Sequence, residues 1–500
     1  MKIVGVAAVL FFGMLMGSVT AQEPQDLSGT RADGYRGIWF TLGQFYGPGP
    51  GGKGYSDRSR QPMFPYGDKY SGGLGTYTAK HTPLAIYAPE VDKTFFVYGG
   101  TTGPRDRHLL CMISYYDHAT HRVPRPVVVH DKQSVDDPHD NPSLCIAPDG
   151  HLWVFVSGRG RKRPGFKYRS QAPFSIDAFA QITEEEMTYP QPYFVPEDGF
   201  LHLFTKYTGV RELYWETSED GTAWTPDQKL AGIRKVGQSR GGHYQTSAIQ
   251  GKRVGTFFNR HPNGNVDQRT DLYYLQTEDS GETWQTVDGR TVDTPIVQID
   301  HPTRVIDYAS QGLNVYLKDM AFDIDGHPVL LYVTSRGHEP GPPNGPRHFR
   351  LIRWDGETWL GSILCTTDHN YDMGSLELRN VDTRGADSPS ETWQAWLPSD
   401  PGPQPDQGGG ELKLWQSDDR GETWTMKQDV TQASSKNHNY ARRPTNARDP
   451  FFVFWADGDP TELSPSQLYF SDSSGKRVWR LPYSMPGTEA SPELVAPSTQ

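Results

Sequence analysis

Three side chains of different chemical type stand where predicted strands begin or end. His139 follows two aspartates, Tyr244 follows a Gly-Gly-His run, and Arg260 ends an apolar segment sixteen residues later. An imidazole and a phenol can exchange protons with a reacting group, whereas a guanidinium binds a carboxylate through two hydrogen bonds. A β-elimination on a uronic acid needs a base for the C5 proton, an acid for the leaving O4 and a group that neutralises the carboxylate. Histidines, tyrosines and arginines at the ends of these predicted strands therefore suit such an elimination, with an arginine as the group that neutralises the carboxylate.

Glycoside hydrolysis has a different requirement, which is a pair of carboxyl groups at a defined separation. The segments that open the predicted first strands contain no obvious pair of glutamates. They contain four aspartates, Asp140, Asp307, Asp368 and Asp372. The sequence therefore disfavours an ordinary glycosidase without excluding one.

Further polar residues open or close the same predicted strands, and we expect them to bind substrate. They are Tyr189, His243, Tyr308, His369, Tyr371 and Tyr440 at strand openings, and Arg159 and Lys206 at strand ends. Residues 159–163 also form a basic cluster, Arg-Gly-Arg-Lys-Arg. Such a run is commonly a solvated loop, but in an acidic protein it is also a candidate landing site for a carboxylate or sulfate group.

The composition excludes one class of partner and favours a fold of many short strands. The chain has 500 residues, with 49 Lys and Arg against 60 Asp and Glu, so its formal net charge is −11. This balance argues against nucleic-acid binding, which requires a basic surface, but a local cationic funnel can still bind an anionic substrate. The 52 glycines, 40 prolines and 13 tryptophans indicate strands joined by tight turns rather than long helices.

The amino terminus predicts export. Residues 1–21 have the features of a signal peptide: Lys2, an apolar stretch, and a Val-Thr-Ala cleavage site. A membrane anchor is the alternative, although the stretch is short for a span. We expect a secreted or periplasmic protein with one domain over residues 22–486, a mobile tail over residues 487–500 and no membrane span.

A repeated hairpin identifies the fold class. Residues 277–284 and 417–424 both match S/T-x-D-x-G-x-T-W, and residues 218–224 are a shortened copy. The aspartate bonds its own turn, the glycine takes a positive φ, and the tryptophan packs between sheets. These turns resemble the Asp-boxes of sialidase-like β-propellers, although they indicate the fold and not the reaction.

A longer repeat predicts an all-β, seven-bladed β-propeller, with six blades as the alternative. Seven polar clusters each precede an apolar strand, a turn and a second strand. The predicted second strands are residues 94–98, 152–156, 200–204, 254–258, 329–333, 392–396 and 451–455. Because first strands start, and second strands end, at the same face beside the axis, this geometry brings His139, Tyr244 and Arg260 together. Alignment of the first two repeats also places His81 near His139.

Several of these segments resemble the propeller ulvan lyases of the BNR-repeat family. The similar segments are residues 136–143, residues 241–245 and Asn259-Arg260. The resemblance implies that His139 and Tyr244 are an acid–base pair, that Arg260 neutralises the uronate and that Tyr308 contacts the reacting sugar. One position departs from the pattern, since Arg159 stands where some ulvan lyases have a second active-site histidine, and this leaves the identity of the base open.

Residues 35–39 and the segment from residue 67 to His81 resemble a sister group that releases terminal rhamnose from glucuronate, by hydrolysis or elimination. In that group the residue matching His81 is the implied catalytic residue. The resemblances imply β-elimination at a rhamnosyl-(1→4)-glucuronate linkage. The alternatives are an exo-acting α-L-rhamnosidase or rhamnose–glucuronate lyase that uses His81, and a non-catalytic glycan-binding propeller.

The expected partner is an anionic polysaccharide or oligosaccharide, and the expected state is a monomer. We expect no required cofactor, because the sequence contains no metal-binding motif. A structural calcium or zinc ion stays open.

Overall fold

The computed structural model describes residue 1 and residues 25–495, except 40, 43–63, 68, 72–73, 105, 134, 208–210, 239–240 and 382–389. Within that part the chain forms strands and four short 3-10 turns, without an α-helix, which confirms the all-β prediction. The predicted signal peptide lies outside the described residues, apart from Met1. No helix of the described part has the length and apolar character needed to cross a membrane.

The first strands form a small sheet and the first four-stranded sheet. The elements, in chain order, are β1 (Thr41–Leu42), β2 (Tyr70–Ser71), the 3-10 turn η1 (Leu74–Thr76), β3 (Ala85–Ala88), β4 (Lys93–Gly100), β5 (Leu110–Asp117), β6 (Val123–Pro124) and β7 (Val127–Asp131). Strand β1 pairs with β2, and the four-stranded sheet has the order β3-β4-β5-β7.

The next two sheets are antiparallel and four-stranded. Their elements are η2 (Pro138–Asp140), β8 (Pro142–Ile146), β9 (Leu152–Val156), β10 (Gly165–Ser170), β11 (Phe179–Glu185), β12 (Thr188–Val195), β13 (Gly199–Lys206), β14 (Glu212–Ser218) and β15 (Gln228–Ala231). Strands β8 to β11 form one sheet and β12 to β15 the other, in chain order.

A six-stranded and a four-stranded sheet follow. Their elements are β16 (Gln245–Gln250), β17 (Arg253–Arg260), η3 (Pro262–Gly264), β18 (Thr270–Thr277), β19 (Trp284–Gln285), β20 (Thr291–Val292), β21 (Arg304–Ile306), β22 (Asn314–Phe322), β23 (Pro328–Ser335), η4 (Pro342–Asn344), β24 (Arg347–Trp354) and β25 (Trp359–Thr367). Strands β16 to β20 pair in order with β21 added beside β18, and β22 to β25 form the next sheet.

The last large sheet joins two groups of strands. Its elements, with β34, are β26 (Ser375–Val381), β27 (Ser390–Pro401), β28 (Gly410–Ser417), β29 (Thr425–Asp429), β30 (Asn437–Arg442), β31 (Val453–Gly458), β32 (Leu468–Ser471), β33 (Val478–Arg480), β34 (Glu489–Ala490) and β35 (Glu493–Val495). One pair, Gly410 with His438, links the group β26 to β29 to the group β30 to β33 with β35.

The strand groups follow one another in a ring, as in a β-propeller. The first strand of each group packs on the next, from β8 to β12, β16, β22 and β26, while β30 and β31 pack on η1, which contacts β4. The propeller prediction is confirmed, and all seven predicted second strands coincide with or overlap β4, β9, β13, β17, β23, β27 and β31. The blade count of seven stays a prediction, because the nine-stranded sheet joins two groups.

Both ends of the described chain close this ring. Gly37 forms bridges to Gly100 of the first group and to Ser466 beside the last group. At the other end, β34 pairs with β6 and β35 pairs with β33. Residues 489–490 and 493–495 therefore lie in strands. Mobility of the predicted tail, residues 487–500, stays a prediction.

The Asp-box turns form as expected from their residues. The Asp279 carboxylate accepts hydrogen bonds from the Thr283 backbone N–H at 2.9 Å and from the Thr277 hydroxyl at 2.8 Å. Gly281 has a φ of 90°, and a Cβ there would lie 2.8 Å from the Trp215 ring. The turn thus requires glycine for its backbone conformation and for packing.

Candidate functional site

The openings of the first strands surround one pocket near the centre of the ring. Every strand group contributes a residue at or just before its first strand, so the openings of the first strands meet at this pocket. The contributors are His139 and six tyrosines: Tyr77, Tyr189, Tyr244, Tyr316, Tyr371 and Tyr440. Tyr70 of the small sheet β1-β2 also lines the pocket. Lys80, Arg269 and Lys318 also line the pocket, and the described lining contains neither aspartate nor glutamate.

The His139 ring is held from one side by Asp137 and faces Tyr77 on the other. Asp137 caps η2 and accepts hydrogen bonds from the His139 backbone N–H at 3.1 Å and from Nδ1. The Nε2 atom lies 2.9 Å from the Tyr77 hydroxyl. Because an ionised carboxylate can only accept, Nδ1 carries the proton and donates to Asp137, and we assign the lone pair to Nε2, which accepts from Tyr77.

Two arginines keep the Asp137 carboxylate ionised. Arg159 and Arg163 lie 2.6 Å and 2.7 Å from Asp137 Oδ2. Burial opposes the charge, but His139 and the arginines outweigh it and hold the pKa of Asp137 well below its usual value. Burial, opposed by Asp137, lowers the pKa of His139 to about 4. The imidazole is therefore neutral near pH 7, and its unprotonated Nε2, which accepts from Tyr77, is the basic atom of the ring.

Arg269 is a buried cation surrounded by aromatic rings. Its guanidinium carbon lies 4.7 Å from the ring centres of both Tyr244 and Tyr316, and Nη2 donates to the Tyr371 hydroxyl. Its Nε donates to the Val266 carbonyl at 2.9 Å. Among the described residues, no carboxylate lies within ion-pair distance of this guanidinium, so its charge is available to an anionic ligand.

Lys318 adds a second cation whose charge is sensitive to its surroundings. Its Nζ donates to the Asn370 carbonyl at 2.7 Å. Burial, partly offset by Asp372 and reinforced by Arg269, lowers the pKa of Lys318 to about 7. The positive potential of the pocket therefore comes from at least one permanently charged group, Arg269, and from amines that titrate.

Tyr189 and Tyr440 line the pocket from positions where the backbone of the inner strand is strained. The register of β12 shifts between Thr188 and Gln191, and that of β30 between Asn439 and Arg442. At these shifts the two tyrosines have φ angles of 57° and 55°, which are rare for an aromatic residue. Strain of this kind is typical of functional sites, and it is consistent with the predicted substrate-binding role of both residues.

Arg260 does not reach this pocket, which corrects the predicted three-residue convergence. Its guanidinium pairs with the buried Asp271 carboxylate at 2.7 Å. The next residue, His261, instead lies against Tyr244, with ring centres 4.7 Å apart. The register of β17 against β18 shifts between Phe258 and Arg260, so the direction of the Arg260 side chain does not follow from simple alternation along the strand.

Three other predicted binding residues also have partners elsewhere. The Tyr308 hydroxyl lies 2.7 Å from that of Tyr332, in a core cluster outside the pocket. His243 accepts from the Ile233 N–H at 2.9 Å through Nε2, while Nδ1 lies 2.8 Å from the Asn259 carbonyl. Lys206 forms an ion pair with Asp227. The structure does not bring these three residues into the pocket.

His81 lies next to His139, as predicted, but both of its ring nitrogens are engaged by backbone groups. Nδ1 accepts from the Thr78 N–H at 3.0 Å, and Nε2 lies 3.2 Å from the His139 carbonyl oxygen. The side chain is fully buried and does not line the pocket. This environment is that of a structural histidine.

The last two predicted residues support the lining from behind. His369 Nδ1 accepts from the Tyr371 N–H at 3.1 Å, beside the pocket. Arg159 contacts Asp137, and its guanidinium carbon lies 5.3 Å from the Tyr207 ring centre. The Tyr207 hydroxyl in turn lies 2.8 Å from the Tyr189 hydroxyl. Arg159 therefore contacts His139 through Asp137 and Tyr189 through Tyr207, and it does so from outside the described lining.

Sequence reasoning missed three tyrosines and three cationic residues of the described lining as site residues: Tyr70, Tyr77, Tyr316, Lys80, Arg269 and Lys318. Tyr77 and Lys80 belong to the polar cluster that opens the first strand group, so this signal was present. Arg269 stands just before β18, the third strand of its group, a kind of position that the pattern of strand openings did not include.

One group of three residues has donor atoms close enough to share a metal ion in the described part of the chain. The ligand atoms of Asp323, Asp325 and His327 lie within 4.8 Å of one another. The Asp323 carboxylate already accepts from the backbone N–H groups of the other two residues, and Asp325 pairs with Arg420 at 2.6 Å. None of these residues lines the pocket, and we assign no metal to them.

A protein-family model and known proteins resemble this chain. The model of a BNR repeat-containing family member matches residues 94–364, which is more than half of the chain. The chain belongs to this BNR repeat-containing family.

Two curated proteins similar to this chain are ulvan lyases. One, from Alteromonas sp. (strain LOR), is 21% identical over 320 residues, which cover 56% of this chain. The other, the ulvan lyase-PL25 of Pseudoalteromonas sp. (strain PLSV), is 20% identical over 319 residues, again 56% of this chain. The chain spans 64% of the length of each relative.

Two solved structures share the fold. A PL25 ulvan lyase bound to -[GlcA(1-4)Rha3S]- has a TM-score of 0.61 and 16% identity, over 81% of this chain and 94% of that one. The polysaccharide lyase Uly1 has a TM-score of 0.58 and 12% identity, over 89% of this chain and 98% of that one. At this identity the likeness establishes the propeller fold.

Proposed function

We propose that this member of the BNR repeat-containing family is a secreted polysaccharide lyase that cleaves a rhamnosyl-(1→4)-glucuronate linkage by β-elimination. The ulvan lyase relatives support the substrate class. The observation that carries the proposal is the pocket itself, in which Arg269 and two lysines face a neutral imidazole among tyrosines without an acidic residue in the described lining. Such a pocket suits a sugar that bears a carboxylate.

Arg269 is the proposed neutralising group, in place of Arg260, for which the resemblance to ulvan lyases implied this role. The uronate carboxylate withdraws electrons from C5 only weakly while it is fully ionised, so a cation must offset its charge as the C5 proton leaves. Arg269 is fixed by hydrogen bonds to Val266 and Tyr371, and it lacks a carboxylate partner among the described residues. The substrate carboxylate would form the ion pair that the Arg269 guanidinium lacks among the described residues.

His139 is the proposed base and Tyr244 the proposed acid. The C5 proton moves to Nε2 of the neutral His139, and the electron pair of that C–H bond forms the C4–C5 double bond. The C4–O4 bond breaks, and the leaving oxygen takes a proton from the Tyr244 hydroxyl. Asp137 stabilises the imidazolium that results, as a carboxylate does for other histidine bases. The Tyr77 hydroxyl, which donates to Nε2 in the structure, must turn away from this atom when substrate binds.

The same geometry disfavours an exo-acting α-L-rhamnosidase and a rhamnose–glucuronate lyase, both of which would use His81. A hydrolase needs two carboxyl groups beside the glycosidic bond, and the described lining has none. The ring nitrogens of His81 are engaged by backbone groups, so its imidazole is not available to a substrate. A non-catalytic glycan-binding propeller stays as the competing function.

A product assay separates these functions. We would incubate the exported protein with ulvan and with gum arabic and follow ultraviolet absorbance and product mass. Elimination predicts an unsaturated uronate end that absorbs in the ultraviolet; saturated ends would contradict the lyase, and binding without any product would favour the glycan-binding module. His139→Asn should lower kcat by about 10²–10⁴-fold, whereas Tyr332→Phe, outside the pocket, should leave it unchanged.

A further inference from the structure

One buried cation in the pocket has no role in the mechanism above. Lys80 is 8% exposed, and its Nζ lies 5.0 Å from the ring centre of Tyr244. Its backbone is fixed, because the Lys80 N–H donates to the Thr78 hydroxyl at 3.0 Å and its carbonyl accepts from Gln191 at 3.0 Å. These contacts fix the backbone from which the amine extends to the pocket wall.

The Lys80 ammonium has no compensating charge among the described residues. No carboxylate forms an ion pair with it there, and no hydrogen-bond acceptor is bound to its Nζ. Burying an unpaired ammonium is costly, so a structural role would normally be filled by an apolar side chain. An amine at the pocket wall, with no carboxylate partner in the described part of the chain, instead points to a ligand that supplies the missing anion.

The other groups that face Lys80 are cations, imidazoles and phenols. Burial, together with Arg269, Lys318 and Arg442, lowers the pKa of Lys80 well below its ordinary value. Lys318 is engaged with Asn370, and Arg442 donates to the Thr78 and His81 carbonyls. His81 and His261 lie near enough for Lys80 to lower their pKa values. None of these neighbours offers a negative charge at neutral pH.

Lys80 and Arg269 share the Tyr244 ring as a common neighbour. The Lys80 Nζ lies 5.0 Å, and the Arg269 guanidinium carbon 4.7 Å, from its centre. Tyr244 is also the proposed acid, so both cations lie close to the place where O4 leaves. A sugar that places O4 at Tyr244 would have its carboxylate, two bonds beyond C4, within the reach of both.

We propose that Lys80 is a second catalytic cation that contacts the uronate carboxylate and stabilises the negative charge added when the C5 proton leaves. This inference rests on the proposed function. The bound carboxylate carries one negative charge, which Arg269 offsets. Loss of the C5 proton to His139 leaves its electron pair delocalised onto the carboxylate oxygens, so the enolate-like state carries a second negative charge. Lys80 offsets that second charge and therefore acts mainly in the transition state.

The decisive variant is Lys80→Met, compared with Lys413→Met. Removing one electrostatic stabiliser of a developing charge lowers kcat by about 10²–10³-fold. We expect this loss with KM changed by less than about threefold, because Arg269 still binds the ground-state carboxylate. We also expect an unchanged or higher melting temperature, because an unpaired buried charge is gone. Lys413 pairs with Asp400 and Asp429 outside the pocket, and its loss should leave kcat unchanged.

A second variant covers the case in which Lys80→Met does not fold. In the wild type, kcat should fall as the pH rises through the pKa of Lys80, because only the ammonium is a cation. Lys80→Arg stays charged, so it should keep part of the activity and lose this alkaline decline.

The outcomes separate this inference from the proposed function. If Lys80→Met kept the wild-type kcat, the proposed role of Lys80 would be overturned and the lyase would stand. The same holds if the loss of kcat came with a lower melting temperature and was explained by the loss of folded protein, as a purely structural role predicts. Absence of an unsaturated product from the wild type on every uronate polysaccharide would overturn the proposed function, and Lys80 with it.

Discussion

The charge of His139 depends on its burial and on Asp137, Arg159 and Arg163. This environment predicts an unusual pH profile. Burial, opposed by Asp137, lowers the pKa of His139 to about 4, compared with about 6.5 for an unperturbed imidazole. The base must be neutral, so kcat/KM should stay level as the pH falls through 6.5 and decline only toward pH 4. The measurement is a pH–rate profile of the wild type at low substrate concentration. An acid decline centred near the ordinary histidine value would contradict this environment.

The same shift affects stability. The unfolded chain takes up a proton near the ordinary histidine pKa, whereas the folded chain does so only near 4. The free energy of unfolding should therefore decrease as the pH falls between these two values.

Arg260 and Arg269 allow a structural and a substrate-binding arginine to be compared in one protein. Arg260→Met leaves the buried Asp271 carboxylate without its partner, which should lower the free energy of unfolding by about 3–5 kcal/mol. Its KM should not change for the molecules that remain folded. Arg269→Lys should raise KM and lower kcat, because the forked donor is lost. Urea unfolding and steady-state kinetics on both variants provide the test. Normal stability with lost activity in Arg260→Met would return Arg260 to the site.

Individual site residues were predictable only where the strand pattern fixes their direction. His139 and Tyr244 open first strands, and both line the pocket. Arg260 ends a second strand at a shift of register, so alternation along the strand does not fix the direction of its side chain. Its neighbour His261 faces Tyr244 instead. Arg269 was not predictable from repeats, because its position depends on how the segment after η3 returns to β18.

At the scale of the element, the Asp-box turn depends on Gly281 for two separate reasons. Gly281 and Gly289 have φ angles of 90° and 81°, so alanine at either position costs about 1–2 kcal/mol of backbone strain. A Cβ at Gly281 would also meet Trp215 at 2.8 Å, whereas Gly289 has open space. Gly281→Ala should therefore lose about 1–3 kcal/mol more than Gly289→Ala, with kcat unchanged in both. Equal losses in thermal unfolding would show that packing against Trp215 does not matter.

The hairpins were predictable because their information is local. The aspartate, glycine and tryptophan of each Asp-box lie within eight residues, and alternating apolar segments mark the second strands. The pocket tyrosines Tyr189 and Tyr440 depend on register shifts in β12 and β30. Those shifts arise from packing against neighbouring strand groups, which the sequence of one hairpin does not specify.

At the scale of the whole molecule, closure of the ring depends on close contact between the amino-terminal segment and the chain near residue 483. A Cβ at Gly34 would lie 2.1 Å from the Tyr483 carbonyl oxygen, and the Tyr35 N–H donates to the Pro482 carbonyl at 2.9 Å. Because backbone cannot yield as a flexible side chain does, Gly34→Ala should lower the free energy of unfolding by about 1–3 kcal/mol. Thermal unfolding measures this loss. A variant as stable as the wild type would show that the ring does not depend on this contact.

The site itself is a property of the ring and not of any one sheet. Asp137 and His139 come from the second strand group, Tyr244 and Arg269 from a later one, and Lys80 from the first. Composition gave only the net charge of −11, and the cations that create a positive pocket in this acidic protein become neighbours when the groups close around the centre. For this reason the fold class was predictable from repeats, whereas the cationic set was not.

The most direct test of the account is an experimental structure of the His139→Asn variant with a uronate-containing oligosaccharide from ulvan. The account predicts that the uronate carboxylate lies about 3 Å from the Arg269 guanidinium, with O4 toward Tyr244 and C5 toward residue 139. A sugar bound with its carboxylate at the Arg159–Arg163 cluster, or on another face of the propeller, would contradict the central claim.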